Sequence, residues 1–572
     1  MRLGLLLVST WLLLAGTFAD GAAGGRTWHV APRELSGIVQ DAQFRTIGEA
    51  AARVAAGDTV VIHGGTYREH VVVEVSGTAE RPIRFEAAPG ERVVVTGADV
   101  LTEWETVDPK QHIYCTPWPH EFVGWNPTHA HPDDDHHVLI GRAEQVAVGG
   151  YLLHQVLTRE QLSRGSFYVD LAAKQLLVWG AAGEVLAKEA AVEASVREVI
   201  WESKGDYLQV RGLRFRYAAN HAQQGAVQFR GNHGVVEDCV FGKTNGCGAV
   251  FGGEDVVVRN CTFQDNGQLG FGADRADNLL LTGCTVRNNN TKGFDRDWEA
   301  GGSKIVLSRG VAIEHSMFVE NRGHGLWFDV GNEDCEVRNC LIADNEECGI
   351  FYEISYGLRA HDDVIIGNGF ADSRGAWGAS SGISLSSSPG CTIERNLIVG
   401  NKEGFDFREQ GRTTPQISDR SEHPIWNHDE LIRSNVLAYN RDAQVWGWFD
   451  VGDQRHWPAA MQDPATMEPE SEGPSGLTLE KLNLSFRNNI YYAASGQGFF
   501  NWGVSWGRNR RYPDIDAVRG ELGLDQESSA LEPGFCDVTS RDFRVPADSP
   551  LLIRGCYPRG EVPGVKLGAT LR

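Results

Sequence analysis

The segment CLIADN (340–345) decides the fold, because variants of it recur at regular intervals along the chain. The full set is CTFQDN (261–266), CTVRNN (284–289), SMFVEN (316–321), CLIADN (340–345), DVIIGN (363–368), NLIVGN (396–401) and NVLAYN (435–440). The compact spacings are 23 residues from Asn266 to Asn289, 24 from Asn321 to Asn345 and 23 from Asn345 to Asn368. A fixed period in the twenties indicates a solenoid, in which each repeat is one coil that buries its apolar face only against its neighbours.

The repeats have the pattern of short β-strands. Val, Ile, Leu and Phe alternate with other residues at a period of two, which is the strand period and not the helical one. The sequence therefore predicts an all-β fold, a right-handed parallel β-helix, with the handedness following the strong preference of parallel crossovers. The recurrent Asn residues should stack as a ladder at one turn, with their amides hydrogen-bonded along the stack.

The rest of the chain divides around this repeat. An apolar run over Leu3–Ala15, preceded by Arg2 and followed by small residues, is typical of a secretory signal peptide and predicts a secreted or periplasmic protein. A short amphipathic helix over Phe44–Val54 would close the N-terminal end of the stack. The coil spacing is lost in one long segment, which predicts a β-rich insertion with hairpins. The expected segments are a signal peptide (1–19), an N-terminal cap with the first coils (20–100), the inserted subdomain (101–197), the main β-helix (198–470) and the C-terminal coils and cap (471–572).

Composition limits the partners of the protein. The formal net charge of −23 argues against a nucleic acid partner. After the signal peptide no stretch of about 18 apolar residues remains, so no membrane insertion is expected. Of the 11 cysteines, Cys239, Cys261 and Cys284 follow the coil period and Cys340 is in register with them. They are expected to form a column of small, buried, unpaired residues, because parallel neighbouring strands rarely offer disulfide geometry.

A second alignment, on the Gly that follows each Asn turn, shows a column of acids. The segments are GFGAD (270–274), GFDRD (293–297), GLWFD (325–329), GIFYE (349–353), GISLS (382–386) and GFDFR (404–408). Their second and fourth positions are mostly apolar and should face the interior, so the third and fifth should face outward. The fifth position then reads Asp274, Asp297, Asp329, Glu353, Ser386 and Arg408.

Asp329 and Glu353 are the candidate catalytic pair in this column. Neighbouring strands lie about 4.8 Å apart, so the two carboxyl groups should project side by side and one should hold its proton above the ordinary pH range. A pair roughly 5 Å apart meets the requirement of a retaining glycosidase, in which one carboxylate attacks the sugar and the other serves as acid and then base. Longer coils on either side of this compact step would leave the stack as loops and wall a cleft.

The segments GLWFD and IFYEIS resemble the catalytic strands of the right-handed β-helix β-xylosidases of glycoside hydrolase family 120. The resemblance extends to the N-terminal helix with GDTVVIHGGTYRE (57–69) and to an early β-rich insertion. It implies Asp329 as the nucleophile, Glu353 as the acid/base and a carbohydrate substrate, with no cofactor required. Asp297, His324, Trp327 and Arg408 are the expected substrate contacts.

Other functions remain open at this stage. Asp274, Asp295 and Asp297, if stacked, would make an all-oxygen site suited to Ca²⁺. A Ca²⁺-dependent polysaccharide lyase also fits an acidic column, but it needs a basic group near the substrate, and the column offers only Arg408 clearly. A non-enzymatic surface or adhesion protein would need no acid pair walled by loops. The sequence does not determine the sugar or the oligomeric state.

Overall fold

The computed structural model describes residues 25–122, 141–180, 191–296, 299–371, 380–409, 412–449, 482–503, 509–560, 562 and 564. Three long parallel sheets, here called A, B and C, run the length of the molecule and share one apolar interior. Each coil contributes one short strand to each sheet in the order A, B, C along most of the chain. This arrangement is the predicted parallel β-helix.

The strands of each sheet stack in nearly regular order. Sheet A contains Gln43–Phe44, Thr27–Val30, Thr59–Ile62, Ile83–Ala87, Leu208–Arg211, Val235–Glu237, Val257–Arg259, Leu280–Thr282, Ala312–Glu314, Glu333–Arg338, Tyr356–His361, Thr392–Glu394, Leu431–Arg433 and Ser485–Arg487. Sheet B contains Gly65–Tyr67, Val93–Thr96, Leu213–Arg216, Val240–Gly242, Thr262–Gln264, Thr285–Arg287, Met317–Val319, Leu341–Ala343, Val364–Ile366, Leu397–Val399, Val436–Ala438, Ile490–Tyr492 and Ser529–Ala530. Sheet C contains Val71–Val73, Trp201–Ser203, Gly225–Phe229, Cys247–Phe251, Leu269–Asp274, Gly301–Val306, Leu326–Phe328, Ile350–Glu353, Ser381–Ser386, Glu403–Glu409, Ala443–Phe449, Phe500–Gly503 and the antiparallel Asn509–Tyr512.

The predicted Asn ladder is confirmed. Each amide donates to the side-chain oxygen of the next, from Asn266 to Asn289 at 3.0 Å and onward at 2.9 to 3.1 Å as far as Asn440. The same amides also donate to backbone carbonyls inside the turn, for example Asn345 to Phe318. Every rung is buried, so the ladder satisfies polar groups that water cannot reach.

The cysteine column is also confirmed as buried and unpaired. Cys239, Cys261, Cys284 and Cys340 lie at the turn between sheets A and B and are at most 1% exposed. The same column continues through side chains that hydrogen-bond to the backbone of the preceding coil. These are Ser316, Asp363, Asn396, Asn435 and Asn489.

The N-terminal helix is shorter than predicted. Helix α1 spans Ile47–Ala51 and begins with a capping box between Thr46 and Glu49. Among the described residues, helices α2 over Ile515–Leu522 and α3 over Pro550–Ile553 lie near the C-terminus, and short 3₁₀ helices cover Gln40–Ala42 and Arg159–Gln161.

The β-rich insertion forms two small sheets outside the coils. The predicted hairpin of Ser166–Asp170 with Gln175–Trp179 is present. One sheet contains Tyr151–Leu152, Val146–Val148, Val192–Ser195 and Ala98–Leu101, and the other contains His154–Val156, Ser166–Asp170, Gln175–Trp179, Ile113–Pro117 and Glu105–Asp108. Val93–Thr96 and Leu213–Arg216 are neighbours in sheet B. The coils before and after the insertion therefore stack directly on each other.

A second excursion covers part of sheet C. After Glu403–Glu409 the chain leaves the coil and forms a hairpin of Arg412–Pro415 with Glu422–Ile425. The hairpin packs closely against Gly331, which has a φ of +65°. A Cβ atom at this position would lie 2.4 Å from the carbonyl oxygen of Pro415. The position therefore needs glycine both for its backbone angle and for space.

Candidate active site

The outward face of sheet C brings the predicted acid pair together. Phe328 pairs with Tyr352 in the parallel register, so Asp329 and Glu353, the next residues, follow on neighbouring strands. Glu353 in turn pairs with Ser386, and Ser386 pairs with Arg408. The inward positions, such as Leu326 and Phe328, are fully buried as the alternation predicts.

The alternation of apolar and polar residues alone suggested that the outward face is exposed to solvent. In the structure, the acid pair on this face is buried instead. Asp329 is 8% exposed and Glu353 is 7% exposed. Arg412, from the hairpin, forms an ion pair with Glu353 across the face of the sheet. Loops that leave the stack therefore enclose both carboxyl groups, which strengthens the electrostatic interactions between them.

Lys304 is a site residue that sequence reasoning missed. Its Nζ lies 2.8 Å from Asp329 Oδ2 and 2.9 Å from Glu299 Oε1, and 4.2 Å from the centre of the Trp327 ring. Burial alone would lower the pKa of the Lys304 ammonium, but the Asp329 and Glu299 carboxylates raise it above its ordinary value. Asp329 Oδ1, in contrast, is buried without a hydrogen-bond partner among the described residues.

The alignment that missed Lys304 was wrong for one coil. Within sheet C, the strand that follows Leu269–Asp274 is Gly301–Val306, and Asp274 pairs with Val306. Residues 293–296 belong to the loop that precedes this strand, because the extra residues of this coil follow the Asn289 turn directly. The column therefore reads Asp274, Val306, Asp329, Glu353, and the pair Gly301-Gly302 was the sequence signal for the correct strand.

Asp274 and Asp295, two of the three residues proposed for calcium, do not stack on one another. Asp274 lies at the end of its strand, 38% exposed, in an ion pair with Arg275 at 2.8 Å. Asp295 lies in the loop before Gly301–Val306, and Asp297 is outside the described residues. Within the described part of the chain, no three His, Cys, Asp or Glu side chains are grouped so that they would hold a metal ion.

Glu353 has the properties of a proton donor. Burial raises the pKa of its carboxyl group, and the neighbouring Asp329 raises it further. The guanidinium groups of Arg412 and Arg408 act in the opposite direction, but the pKa of Glu353 remains above its ordinary value. Two neighbouring carboxyl groups in different environments are the usual basis for separate acid and nucleophile roles.

His324 and Trp327 form an aromatic wall beside the pair. The His324 ring stacks on Phe351 with centroids 4.7 Å apart and meets Trp327 edge-on at 4.8 Å. Burial, Lys304 and Arg408 lower the pKa of His324 to about 3, so the imidazole is neutral at ordinary pH. Such a ring serves as a hydrogen-bond partner and not as a proton source.

Several polar side-chain atoms on this face are buried without a hydrogen-bond partner among the described residues. Among the described residues, buried side-chain atoms on the outward face of sheet C that lack a hydrogen-bond partner include Trp327 Nε1, Asp329 Oδ1, Ser384 Oγ, Ser386 Oγ and Trp446 Nε1. Buried polar groups in proteins are nearly always paired, so a cluster of exceptions on one face indicates a site adapted to a polar ligand. The cluster extends beyond the acid pair toward the C-terminal coils.

The chain is similar to several β-helix proteins. The family described as the right handed beta helix region matches residues 225–398. A solved structure described as the complex structure of XylC with xylose has a TM-score of 0.65 at 18% identity, covering 89% of this chain and 86% of that chain. These two comparisons confirm the right-handed parallel β-helix.

Three further similarities are more limited. A structure described as a glycoside hydrolase has a TM-score of 0.47 at 13% identity, covering 67% of this chain and 94% of that chain. Pectate lyase Pel9A has a TM-score of 0.37 at 14% identity, covering 93% and 91% of the two chains. The uncharacterized protein YwoF of Bacillus subtilis (strain 168) is 37% identical over 93 residues, which are 16% of this chain and 20% of that protein. The chain thus matches about a fifth of the length of this curated relative.

No helix in the described part of the chain is both long enough and apolar enough to cross a membrane.

Proposed function

We propose that the protein is a secreted, retaining glycoside hydrolase that acts on a glycan or oligosaccharide. The observation that carries the proposal is the parallel register that sets Asp329 beside Glu353 on neighbouring strands. Strand spacing of about 4.8 Å suits the separation of about 5 to 5.5 Å in retaining enzymes. Inverting enzymes need about 6.5 to 9.5 Å, because a water molecule must fit between the general base and the sugar.

Asp329 is the proposed nucleophile. Lys304 pairs with the Oδ2 atom of Asp329, and Oδ1, which has no hydrogen-bond partner among the described residues, is the oxygen proposed to attack the anomeric carbon. The ammonium group also fixes the orientation of the carboxylate, since it is itself held by Glu299 on the other side. A nucleophile held in one orientation loses less entropy when the sugar arrives.

Glu353 is the proposed acid/base. Its raised pKa keeps the proton available for the glycosidic oxygen as the leaving group departs. After the proton has left, Arg412 and Arg408 stabilise the carboxylate, which then accepts a proton from the water that hydrolyses the glycosyl-enzyme intermediate. The same group thus acts first as an acid and then as a base.

The proposed substrate contacts are His324, Trp327 and Arg408, three of the four residues that the sequence predicted for this role. The neutral imidazole of His324 and the indole N–H of Trp327 suit sugar hydroxyl groups. The His324 ring stacks on Phe351, and the Trp327 ring lies next to Lys304. The polar atoms of Ser384 and Ser386 extend this surface by one coil past Glu353. The family 120 resemblance and the likeness to XylC, whose structure contains xylose, support a β-xylosidase-like substrate.

A polysaccharide lyase is the second candidate, because two further basic groups lie beside the acid pair. Lys304 and Arg412 now accompany Arg408 beside the acids, whereas the sequence pattern offered only Arg408. A lyase base must accept a proton from the sugar, and the carboxylates that raise the pKa of Lys304 make it a poor acceptor. This electrostatic argument favours the hydrolase.

Product analysis on a panel of aryl glycosides and plant, algal and mucin glycans tests the proposal. Proton NMR of the first-formed product should show retention of the anomeric configuration, and Asp329→Asn should abolish turnover. Asp274→Asn, an exposed acid on the same sheet, is the matched control and should retain normal activity. Inversion, or ultraviolet absorbance from an unsaturated product that disappears on chelation, would reject the retaining hydrolase. Glycan binding by the wild-type protein without any turnover would favour the adhesion protein.

A further inference from the structure

A cavity of about 520 Å³ lies at the seam between the inserted subdomain and the coils. The insertion contributes apolar side chains to its wall, including Leu152 and Phe167, and the turns of successive coils contribute Lys243, Lys292 and Arg322. The volume is within the range of small-molecule sites in proteins. The cavity shares no lining residue with the candidate active site on sheet C.

Lys292 is the central polar group of this cavity. Its ammonium donates to the carbonyl oxygen of Arg142 and to Asn245 Oδ1, which leaves one of its three N–H groups for a ligand. Burial lowers the pKa of Lys292 to about 7, with the Glu144 carboxylate opposing the shift and Arg142 adding to it. The charge of this side chain is therefore sensitive to what occupies the cavity.

The acidic groups of the cavity are already satisfied by neighbours. Glu144 forms an ion pair with Arg142 at 2.9 Å and accepts a hydrogen bond from Gln155. Asp265 accepts a hydrogen bond from Asn288.

The basic groups have donors to spare. Arg322 has only a 3.6 Å approach to Glu346, and Lys243 donates to the carbonyl oxygen of Gly150. The wall therefore presents spare cationic donors in a chain whose net charge is −23. This local excess of positive charge selects for an anionic ligand.

The remaining surface suits a sugar ring. Tyr151, which also lines the cavity, is 79% exposed, and Leu152 beside it is 36% exposed. A pyranose offers an apolar C–H face to such side chains and a rim of hydroxyl groups to polar ones, in the manner of other mixed ligand sites. Gln155, whose Oε1 is buried without a hydrogen-bond partner among the described residues, adds an acceptor at the same wall.

We propose that this seam cavity is a binding site for a carboxylate-bearing sugar, with Lys292 and Arg322 contacting the carboxylate and Tyr151 packing against the ring. The site is separate from the Asp329–Glu353 pair and does not depend on the hydrolase assignment. Binding of an anion stabilises the protonated form of Lys292, so affinity falls as pH rises through about 7. The other ionisable groups around Lys292 are Arg142, Glu144, His154, Lys243, Asp265 and Arg322.

Calorimetric titration of the full chain with D-glucuronate and with D-glucose tests the site. Glucuronate should bind at least about tenfold more tightly than glucose, and its affinity should fall several-fold between pH 6 and pH 8. Lys292→Met should reduce glucuronate affinity by at least about tenfold and remove the pH dependence. Lys204→Met, a partly exposed lysine elsewhere on the coils, is the control and should change neither.

A blocking variant separates binding from folding. Leu152→Trp adds bulk at the partly exposed rim without removing a buried partner and should also weaken glucuronate binding. Equal binding of the two sugars, wild-type affinity in Lys292→Met, or a Lys292→Met variant that loses only thermal stability would overturn the proposal. In the last case Lys292 is only a tether between the insertion and the coils. Asp329→Asn should bind glucuronate normally, so the outcome here is independent of the hydrolase test.

Discussion

Lys304 Nζ contacts Asp329 Oδ2 at 2.8 Å while the other oxygen of the same carboxylate has no hydrogen-bond partner among the described residues. This asymmetry leaves one carboxylate oxygen anchored and the other as the atom proposed to attack the sugar. The anchor is itself held by Glu299, which lies at the end of the loop that the sequence alignment mistook for a strand. A loop outside the coil therefore orients the residue proposed as the nucleophile.

Replacing Lys304 by Met should reduce both stability and activity. The change leaves Asp329 buried without its cation, which costs about 3 to 5 kcal/mol of unfolding free energy in comparable buried pairs. Loss of the anchor should also lower kcat by about 100-fold, because the carboxylate is no longer held in line. Denaturant unfolding and steady-state kinetics measure the two effects, and Lys304→Arg should recover part of both. A Lys304→Met enzyme with wild-type kcat would contradict the anchoring role.

Replacing Glu353 by Gln should affect substrates according to their leaving groups. Removal of the proton donor should slow glycosides with poor leaving groups by about 100-fold or more and activated aryl glycosides much less. Azide should partly restore the second step for activated substrates, because it needs no general base. Rates across a series of aryl glycosides, with and without azide, provide the measurement. An equal loss of rate for all leaving groups would show that Glu353 is not the catalytic acid.

The Arg412–Glu353 ion pair should set the alkaline limit of activity. Glu353 must be protonated to act as an acid, so kcat/KM falls as pH rises through its pKa. Arg412 lowers that pKa, and Arg412→Met should therefore raise it and move the alkaline limb to higher pH. Arg412→Lys, which keeps the charge, should move the limb less. A shift to lower pH in the pH–rate profile of Arg412→Met would contradict the assignment.

Asp363→Asn should stabilise the protein at neutral and alkaline pH. Burial raises the pKa of Asp363 to about 8. The hydrogen bond that Asp363 accepts from the Cys340 N–H opposes this shift. The unfolded chain loses this proton near pH 4 and the folded chain near pH 8, so stability falls as pH rises between these values. Asn is neutral and already occupies the same column at Asn396 and Asn435.

The expected gain for Asp363→Asn is on the order of 2 kcal/mol at pH 8, with little or none below about pH 4. Denaturant unfolding at several pH values checks it. Asp274→Asn, which changes an exposed carboxyl group, should show no comparable pH-dependent gain. A gain that is the same at all pH values would show that the buried proton of Asp363 is not its cause.

Thiol labelling should separate one cysteine from the rest. Of the 11 cysteines, Cys536 alone is exposed, and none of the 11 forms a disulfide. Native protein should therefore react at one thiol, and denatured protein under non-reducing conditions should react at all 11. Burial, which raises the pKa of Cys340 well above its usual range, adds a chemical barrier to the steric one. Fewer than 11 thiols after denaturation would indicate a disulfide.

The periodic features of this protein were predictable from the sequence because each coil repeats the same local environment. The Asn ladder, the cysteine column and the placement of Asp329 beside Glu353 all follow from a strand period of two and a coil period in the twenties. An insertion such as the one before Gly301 breaks that reasoning locally, since the period gives no information on which residues leave the coil.

Tertiary structure alone decided the environment of the acid pair. Arg412 reaches Glu353 from 59 positions away along the chain, on a hairpin whose path no local pattern encodes. The same excursions turn an outward face into a buried one, so that Asp329 and Glu353 are enclosed rather than solvated. The sequence by itself determined which side chains share a face of the β-helix, because that depends on short-range periodicity. The charged groups that lie opposite these side chains, such as Arg412, are carried by loops that fold back across the sheet. Only the three-dimensional structure shows where those loops lie.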